Sequence, residues 1–123
     1  MQIGEVADRT GLSLRTIRYY EEVGLVVPSA RSQGGFRLYT EPDVDRLHVV
    51  KRMKPLGFQL EEMRELLAIL DALAGPAADD HDKHLDRLAR FHATAEERCE
   101  ELRAQLRIAE EFAGALRAHL PHR

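Results

Sequence analysis

The stretch IGEVADRTGLSLRTIRYYEEVGLVVPSARSQGGFRLY, residues 3–39, decides how the chain is organised. Its first part places apolar residues at helical spacing, Val6 among them, and Gly11 then supplies a turn because glycine tolerates a positive φ. Ser13 is a favourable N-cap for a second helix, in which Ile17 points back at Val6. The pattern therefore predicts two short helices joined by a tight turn, which is a helix-turn-helix.

The second predicted helix carries guanidinium, hydroxyl and phenol groups on the face opposite to Ile17. Side chains of these types suit a DNA major groove, which is lined with hydrogen-bond acceptors and bordered by phosphates. A solvated surface is the plain alternative for any single arginine. The predicted outward face consists of Arg15, Thr16, Arg18, Tyr19 and Tyr20.

The glycine pair Gly34-Gly35 marks the tip of a β-hairpin that follows the two helices. Arg31 and Arg37 stand on either side of this tip, where they can grip phosphates along a groove. Tyr39 follows in the second strand of the same hairpin. The sequence thus predicts a helix-turn-helix with a small β-wing, which is a head suited to DNA.

Six motifs in order make the first 70 residues similar to one known family. They are IGEVA, TGLS, RTIRYYEEVGL, the proline at position 28, RSxxGFRxY and LGFxLEEM. The stretch resembles the winged-helix head of the MerR family of bacterial transcription regulators. The resemblance implies a homodimer that binds a pseudo-palindromic site in an over-long promoter spacer. It also implies that an activated dimer bends and untwists the spacer, so that RNA polymerase engages both promoter elements.

The same resemblance suggests roles for individual side chains of the head. Arg15 and Thr16 are the better candidates for base edges, and Lys54 aligns with a basic position that contacts the DNA backbone in family members. Positioning of the backbone is expected of Arg18, Tyr20, Arg37 and Tyr39. The full set of predicted DNA-binding residues is Arg15, Thr16, Arg18, Tyr19, Tyr20, Arg31, Arg37, Tyr39 and Lys54.

The net charge of −3 is divided unevenly along the chain. Residues 1–55 hold nine Lys or Arg against seven Asp or Glu, whereas residues 56–123 hold nine against fourteen. The basic excess therefore lies in the head, as binding to phosphates requires. One cysteine excludes an intrachain disulfide framework, and the sequence shows neither a secretory signal nor an apolar run of membrane-spanning length. These features predict a cytoplasmic, nucleoid-associated protein with no membrane partner.

A seam of residues with alternating steps of three and four runs through the second half of the chain. This is the a/d repeat of a coiled coil, so a helix over residues 81–120 is predicted to pair with a second copy of itself. The resemblance implies that the two helices pair antiparallel, and Phe91 and Phe112 beside the seam are expected to pack on helix 60–70. The seam residues are Leu85, Leu88, His92, Ala95, Cys99, Leu102, Leu106, Ala109, Ala113, Leu116 and Leu120.

The sequence as a whole predicts a mainly α protein. Its parts are a winged helix-turn-helix head (residues 1–72), a linker (73–80), a coiled-coil dimerisation helix (81–120) and a short tail (121–123). An enzyme is disfavoured because no nucleophile–base pair, phosphate loop or metal motif is present. The classes that remain are a signal-responsive transcription regulator and an effector-independent architectural DNA-binding protein. A regulator silenced by another subunit stays open as well, although no specific feature supports it.

The residues leave the regulatory signal and any cofactor open. In the family that this chain resembles, some members sense drugs with a further C-terminal domain and others sense soft metals with paired cysteines. This chain is expected to be a short member with neither feature. Cys99 on the seam is either an inert core residue or a thiol switch beside its symmetry mate. A borderline ion such as Zn²⁺, Ni²⁺ or Co²⁺ is another candidate, although aspartate and histidine at helix ends also suit the helix dipole. The candidate ligands are Asp79, His81, His84, His119 and His122.

Overall fold

The structure is a computed structural model that describes residues 1–28, 30–76 and 80–121, with residues 30 and 31 described by their backbone alone. The mainly α fold is confirmed. No helix in these ranges is both long enough and apolar enough to cross a membrane. The elements in chain order are α1 (Ile3–Thr10), α2 (Leu14–Glu22), β1 (Ala30–Arg31), β2 (Arg37–Leu38), α3 (Glu41–Met53), a 3-10 turn (Lys54–Leu56), α4 (Leu60–Ala74) and α5 (His81–Arg117).

Helices α1 and α2 form the predicted helix-turn-helix. Gly11 ends α1 with a φ of 74°, and the Ser13 hydroxyl accepts a hydrogen bond from the Thr16 amide at 3.1 Å where α2 begins. A left-handed residue after one helix and a serine cap before the next reverse the chain within a few residues. Val6 and Ile17 are fully buried in the core that the two helices share.

The wing is an antiparallel hairpin in which Arg31 lies opposite Arg37. Gly35 near its tip has a φ of 81°, a conformation that favours glycine. The terminal ammonium of Met1 donates to the Tyr39 carbonyl at 2.8 Å, and the Tyr39 amide donates to the Met1 carbonyl at 2.7 Å. The start of the chain is therefore fastened to the base of the wing.

Helices α3 and α4 complete the core of the head. Thr40 caps α3 in a capping box: its hydroxyl accepts from the Asp43 backbone amide, and the Asp43 carboxylate accepts from the Thr40 backbone amide at 2.9 Å. At the start of α4, Glu62 accepts a hydrogen bond from the Gln59 amide at 2.8 Å. The buried core consists of Val6, Ile17, Tyr20, Leu25, Val26, Tyr39, Val44, Leu47, Val50, Met53, Phe58, Met63 and Leu67.

The two halves of α5 have different surroundings. The first half packs on the head, where the Phe91 ring lies 6.0 Å from the Phe58 ring. Arg98 stacks over Phe58 at 4.2 Å and donates to the Leu56 carbonyl at 3.1 Å. Every residue in 101–120 is exposed. Because α5 has 37 residues and each rises 1.5 Å, it spans about 55 Å and its second half extends away from its own head.

Three predictions about this half of the chain are corrected. Helix α4 continues to Ala74, inside the predicted linker. Helix α5 ends at Arg117 rather than at residue 120, because the His119 and Leu120 amides donate to carbonyls three residues back instead of four and Pro121 has no amide to continue the helix. Phe112 is 66% exposed and does not pack on α4, since it lies roughly 30 Å beyond Phe91 along the helix.

Candidate nucleic-acid interface

The exposed face of α2 carries three of the side chains predicted to bind DNA. Arg15, Arg18 and Tyr19 are all exposed. In the part of the chain that the structure describes, neither arginine forms an ion pair. Thr16 is half-buried, and its hydroxyl accepts a hydrogen bond from the Ser13 hydroxyl at 2.9 Å. Thr16 therefore belongs to the cap of α2 as well as to its outward surface.

Tyr20 and Tyr39 are core residues, which corrects the prediction of an outward Tyr20 and leaves the ring of Tyr39, predicted to position the DNA backbone, inside the head. Their exposed fractions are only 4% and 2%. Tyr20 follows Ile17 by three residues, so both lie on the inner face of α2. Burial raises the pKa of Tyr20, and burial together with a hydrogen bond to Glu21 raises the pKa of Tyr39 to about 12. Both phenols therefore stay neutral near pH 7 and support the surface from inside the head.

Glu21, which the sequence analysis does not single out, joins α2 to the wing. Its carboxylate accepts hydrogen bonds from Arg37 Nε at 2.6 Å and from the Tyr39 hydroxyl at 3.0 Å. The Glu21 side chain is only 16% exposed, so water screens this ion pair poorly. Arg37 is consequently an ion-paired group rather than a free cation of the wing. The spacing of Arg37 and Tyr39 could have indicated a shared partner, because residues at i and i+2 of a strand point to the same side.

Other basic residues of the head stabilise the fold. Arg9 binds Glu41 through both Nη atoms at 2.5 and 2.7 Å, and this hydrogen bonding raises the pKa of Arg9 and lowers that of Glu41. Lys51 Nζ donates to the Thr10 carbonyl at 2.6 Å. Lys54 is exposed where α3 passes into the 3-10 turn, and it forms no ion pair with any other described residue. Lys54 therefore remains available for a phosphate.

Two predicted groups of residues are only partly described. The side chain of Arg31 lies outside the described part of the chain, although its backbone pairs with Arg37. Among the candidate metal ligands, Asp79 and His122 also lie outside the described residues. The described residues of one chain contain no group of three His, Cys, Asp or Glu side chains that could hold an ion. The remaining candidates are His81 (exposed), His84 (half-buried, with Nδ1 shielded) and His119 (exposed).

The predicted seam lies along one face of α5 and is open to solvent in its second half. Leu102, Leu106 and Leu116 are exposed, whereas Leu88 in the first half is half-buried against the head. Cys99 between them is a free, half-buried thiol. An apolar groove of about 250 Å³ runs between the head and the first half of α5. Its lining includes Val49, Met53, Leu56, Phe58, Leu66, Leu88, Phe91 and Ala95.

Comparison with known proteins decides the family. The family model for the MerR HTH family regulatory protein matches residues 1–69, and the model for MerR, DNA binding, matches residues 44–119. This chain belongs to the MerR family. As a MerR-family member it is a DNA-binding transcription regulator.

Individual MerR-family relatives agree with this assignment. The chain is 38% identical over 113 residues to the mercuric resistance operon regulatory protein of Bacillus cereus, covering 81% of this chain and 86% of that one. The structure of MerR from Bacillus megaterium MB1 in complex with mercury(II) is 32% identical, with a TM-score of 0.55 over 100% of this chain and 89% of that one. HiNmlR, a MerR family regulator lacking the sensor domain and bound to promoter DNA, shares the fold at 20% identity and a TM-score of 0.73, covering 95% and 90% of the two chains. These relatives are regulators rather than enzymes.

Proposed function

We propose that this MerR-family protein acts as a homodimer on a pseudo-palindromic promoter site and regulates transcription by bending and untwisting the DNA between its heads, in response to a signal. The observation that carries the proposal is the exposed cationic face of α2 beside a hairpin wing. RNA polymerase bound at the same promoter is the proposed protein partner. Deforming DNA requires binding energy and no bond chemistry, so this function needs no catalytic group.

The geometry of α2 supports direct contact with the major groove. Arg15 and Thr16 lie in its first turn, which is the part of a recognition helix that contacts base edges in helix-turn-helix proteins. Arg18 and Tyr19 follow on the same exposed surface and are placed for phosphates. Lys54 supplies a further cation at the end of α3. Base contacts are therefore assigned to the first turn and backbone contacts to its surroundings.

The surface of α5 supports self-association. Leu102, Leu106 and Leu116 lie on the seam and are exposed in the single chain, together with Ile108 and Phe112 beside it. Apolar side chains repeating every 3.5 residues pack into the holes of a second helix with the same repeat. A second copy of this chain carries that repeat, so a symmetric dimer covers both seams at once.

The groove beside α5 supports an antiparallel direction of pairing. Phe58, Leu88 and Phe91 form part of its apolar lining, and Phe112 is exposed on the second half of the helix. Antiparallel pairing with Cys99 of one chain facing Leu102 of the other brings Phe112 of one chain level with the turn around Leu88 of the other. The second half of each α5 then covers the groove of its partner, whereas parallel pairing leaves both the groove and Phe112 exposed. The two heads accordingly lie at opposite ends of the dimer.

A second candidate is an architectural DNA-binding protein that requires no effector, because the α2 face and the α5 seam suffice for it. A sensor of metals or thiols is the other alternative with the same fold. It would use Cys99 on the seam or histidines brought together from two chains, such as His84 and His119. The mercury-bound relative makes Hg²⁺ a natural ion to include in the test.

A footprint on the region upstream of the protein's own gene tests the proposal. We expect protection of two inverted half-sites, with enhanced cleavage between them where the DNA is bent. Transcription from the same promoter, with and without Zn²⁺, Hg²⁺ or a thiol oxidant, then separates a signal-responsive regulator from an architectural protein. Protection of one half-site by a monomer would contradict the proposed dimer.

A further inference from the structure

Glu21 determines how Arg37 of the wing is presented to solvent. One carboxylate oxygen accepts from Arg37 Nε and the other accepts from the Tyr39 hydroxyl, at 2.6 and 3.0 Å. Because Tyr39 is buried, it holds the carboxylate in place from the core side. The Arg37 guanidinium is thereby fixed against the end of α2.

Arg37 uses only its Nε edge for Glu21. A guanidinium presents five N–H donors in a rigid planar fork, and the Nη groups of Arg37 have no acceptor among the residues that the structure describes. The Arg37 side chain is 39% exposed, so a ligand from solvent can reach that second edge. Glu21 therefore fixes the plane of the guanidinium without occupying all of its donors.

A cleft of about 130 Å³ lies between the start of α1, the outward face of α2 and the wing. Arg18 and Arg37 both contribute to its lining, together with Gln2, Ile3, Gly35 and Phe36. The charge of Arg37 is balanced by Glu21, whereas Arg18 forms no ion pair with a described residue. These three groups carry one net positive charge, which matches the single negative charge of one DNA phosphodiester.

We propose that this cleft binds one phosphate of the DNA backbone between Arg18 and Arg37, and that Glu21 is the positioning residue that orients Arg37 towards it. The inference rests on the proposed function, because the phosphate belongs to DNA held by α2 and the wing. The recognition helix and the wing then grip the same point of the backbone. The register of α2 in the groove consequently depends on a carboxylate that does not touch DNA.

Whether a substitution at Glu21 weakens or strengthens DNA binding separates a positioning role from simple electrostatic repulsion. Removing a negative charge near DNA strengthens binding if that charge acts only by repulsion. Glu21→Gln instead breaks the ion pair and frees Arg37, so we expect binding to weaken roughly tenfold, as for the loss of one charged hydrogen bond. Glu22→Gln is the matched control, because Glu22 is the exposed neighbour and forms no ion pair with a described residue. We expect this control to bind as tightly as the wild type or more tightly.

A double-mutant cycle tests whether Glu21 acts through Arg37. In an Arg37→Gln background, Glu21→Gln should have no further effect on affinity. The slope of log affinity against log salt reports how many phosphates the protein neutralises. In the double variant Arg18→Gln/Arg37→Gln this slope should fall by the amount for about one phosphate contact rather than two, because both residues bind the same phosphate.

Fluorescence anisotropy on the footprinted promoter fragment over a range of salt concentrations gives these affinities, and thermal melting shows whether each variant folds. Glu21→Gln binding as tightly as Glu22→Gln, or an undiminished effect in the Arg37→Gln background, overturns the inference. Should Glu21→Gln fail to fold, the salt dependence of the Arg18→Gln/Arg37→Gln double variant is the test instead. A slope that falls by the amount for two phosphate contacts overturns the inference. A wild-type protein that does not bind the fragment overturns the proposed function instead.

Discussion

Tyr39 links the stability of the head to alkaline pH. Its pKa is raised from 10.0 to about 12 in the folded protein, first by burial and then by the hydrogen bond to Glu21. Because the folded state holds this proton more tightly than the unfolded chain, the stabilisation is complete below about pH 10 and is lost as the pH rises towards 12. A shift of this size corresponds to about 2 to 3 kcal/mol of unfolding free energy.

Urea titrations of the wild type and Tyr39→Phe across this pH range measure the effect. At neutral pH we expect the variant to lose about 1 kcal/mol, because Glu21 then keeps only Arg37 as a partner. Above about pH 10 its unfolding free energy should fall less steeply than that of the wild type. Tyr19→Phe, at the exposed tyrosine of α2, is the control and should follow the wild type. Parallel curves for the wild type and Tyr39→Phe would assign the pH dependence to other groups.

Single residues show what the sequence could predict of the site and what it could not. Helical spacing already indicates that Tyr20 shares a face with Ile17, since residues three apart are neighbours on a helix. The prediction of an outward Tyr20 followed the chemistry of its phenol instead of this spacing, and it is wrong. Glu21 is different, because its contacts with Arg37 and Tyr39 exist only after the wing has folded against α2. The i, i+2 spacing of Arg37 and Tyr39 indicates that the two can share a partner, but no local pattern identifies Glu21 as that partner.

At the scale of helices and turns, two left-handed glycines provide a matched pair of substitutions. Gly11 follows α1 with a φ of 74°, and Gly57 follows the 3-10 turn with a φ of 82°. A Cβ at Gly57 would meet no atom within 4 Å, whereas a Cβ at Gly11 would lie 2.9 Å from Lys51 Nζ. That ammonium group donates to the Thr10 carbonyl at the end of α1. We expect Gly57→Ala to lower the unfolding free energy by about 1 to 2 kcal/mol through backbone strain alone.

Gly11→Ala should lower it by about 1 kcal/mol more, because displacing Lys51 also breaks a hydrogen bond to the helix end. Urea denaturation of both variants measures the difference. In a Lys51→Met background, Gly11→Ala and Gly57→Ala should lower the unfolding free energy by nearly the same amount, since the hydrogen bond to the Thr10 carbonyl is already absent. An equal loss for both variants in the wild-type background would show that Lys51 adjusts without cost.

The sequence predicts where a helix begins more reliably than it predicts what the helix packs against. Ser13 caps α2 as predicted, because a cap depends on one side chain and the amides next to it. The position of Phe112 was not predictable in the same way. Its spacing placed it beside the seam, but the distance from the head depends on the whole length of α5. Phe91, nearer the start of that helix, does pack on the head, where its ring meets that of Phe58 just before α4.

At the scale of the whole molecule, the proposed dimer has a test that leaves the single chain undisturbed. Leu106 is 58% exposed in one chain, and Ala104 nearby is also exposed. A glutamate at either position should therefore change the unfolding free energy of a single chain little. In a coiled coil Leu106 is a buried seam residue while Ala104 faces away from the partner. We expect Leu106→Glu to sediment as a monomer and to bind promoter DNA weakly, and Ala104→Glu to remain dimeric. Identical sedimentation of both variants and the wild type would contradict pairing through the seam.

The seam could be read from the sequence because its repeat belongs to one chain. Its direction of pairing could not, since alternating steps of three and four look alike from either end. What breaks this symmetry is the head, which packs against the first half of α5 and leaves the apolar groove beside Phe91. The second half has no such neighbour and carries the exposed Phe112. The two halves complement each other only when the helices run in opposite directions.

Cross-linking measures that direction. In antiparallel pairing with Cys99 of one chain facing Leu102 of the other, His92 of one chain lies opposite Ala109 of the other, whereas in parallel pairing each residue faces its own copy. With Cys99→Ala in both chains, we expect His92→Cys and Ala109→Cys to form a disulfide when the two variants are mixed and oxidised, because facing seam positions bring the two sulfurs within bonding distance. Each variant alone should stay largely uncross-linked on a non-reducing gel. Cross-linking of each variant with itself, and none between them, would place the two heads side by side and leave Phe112 far from the groove.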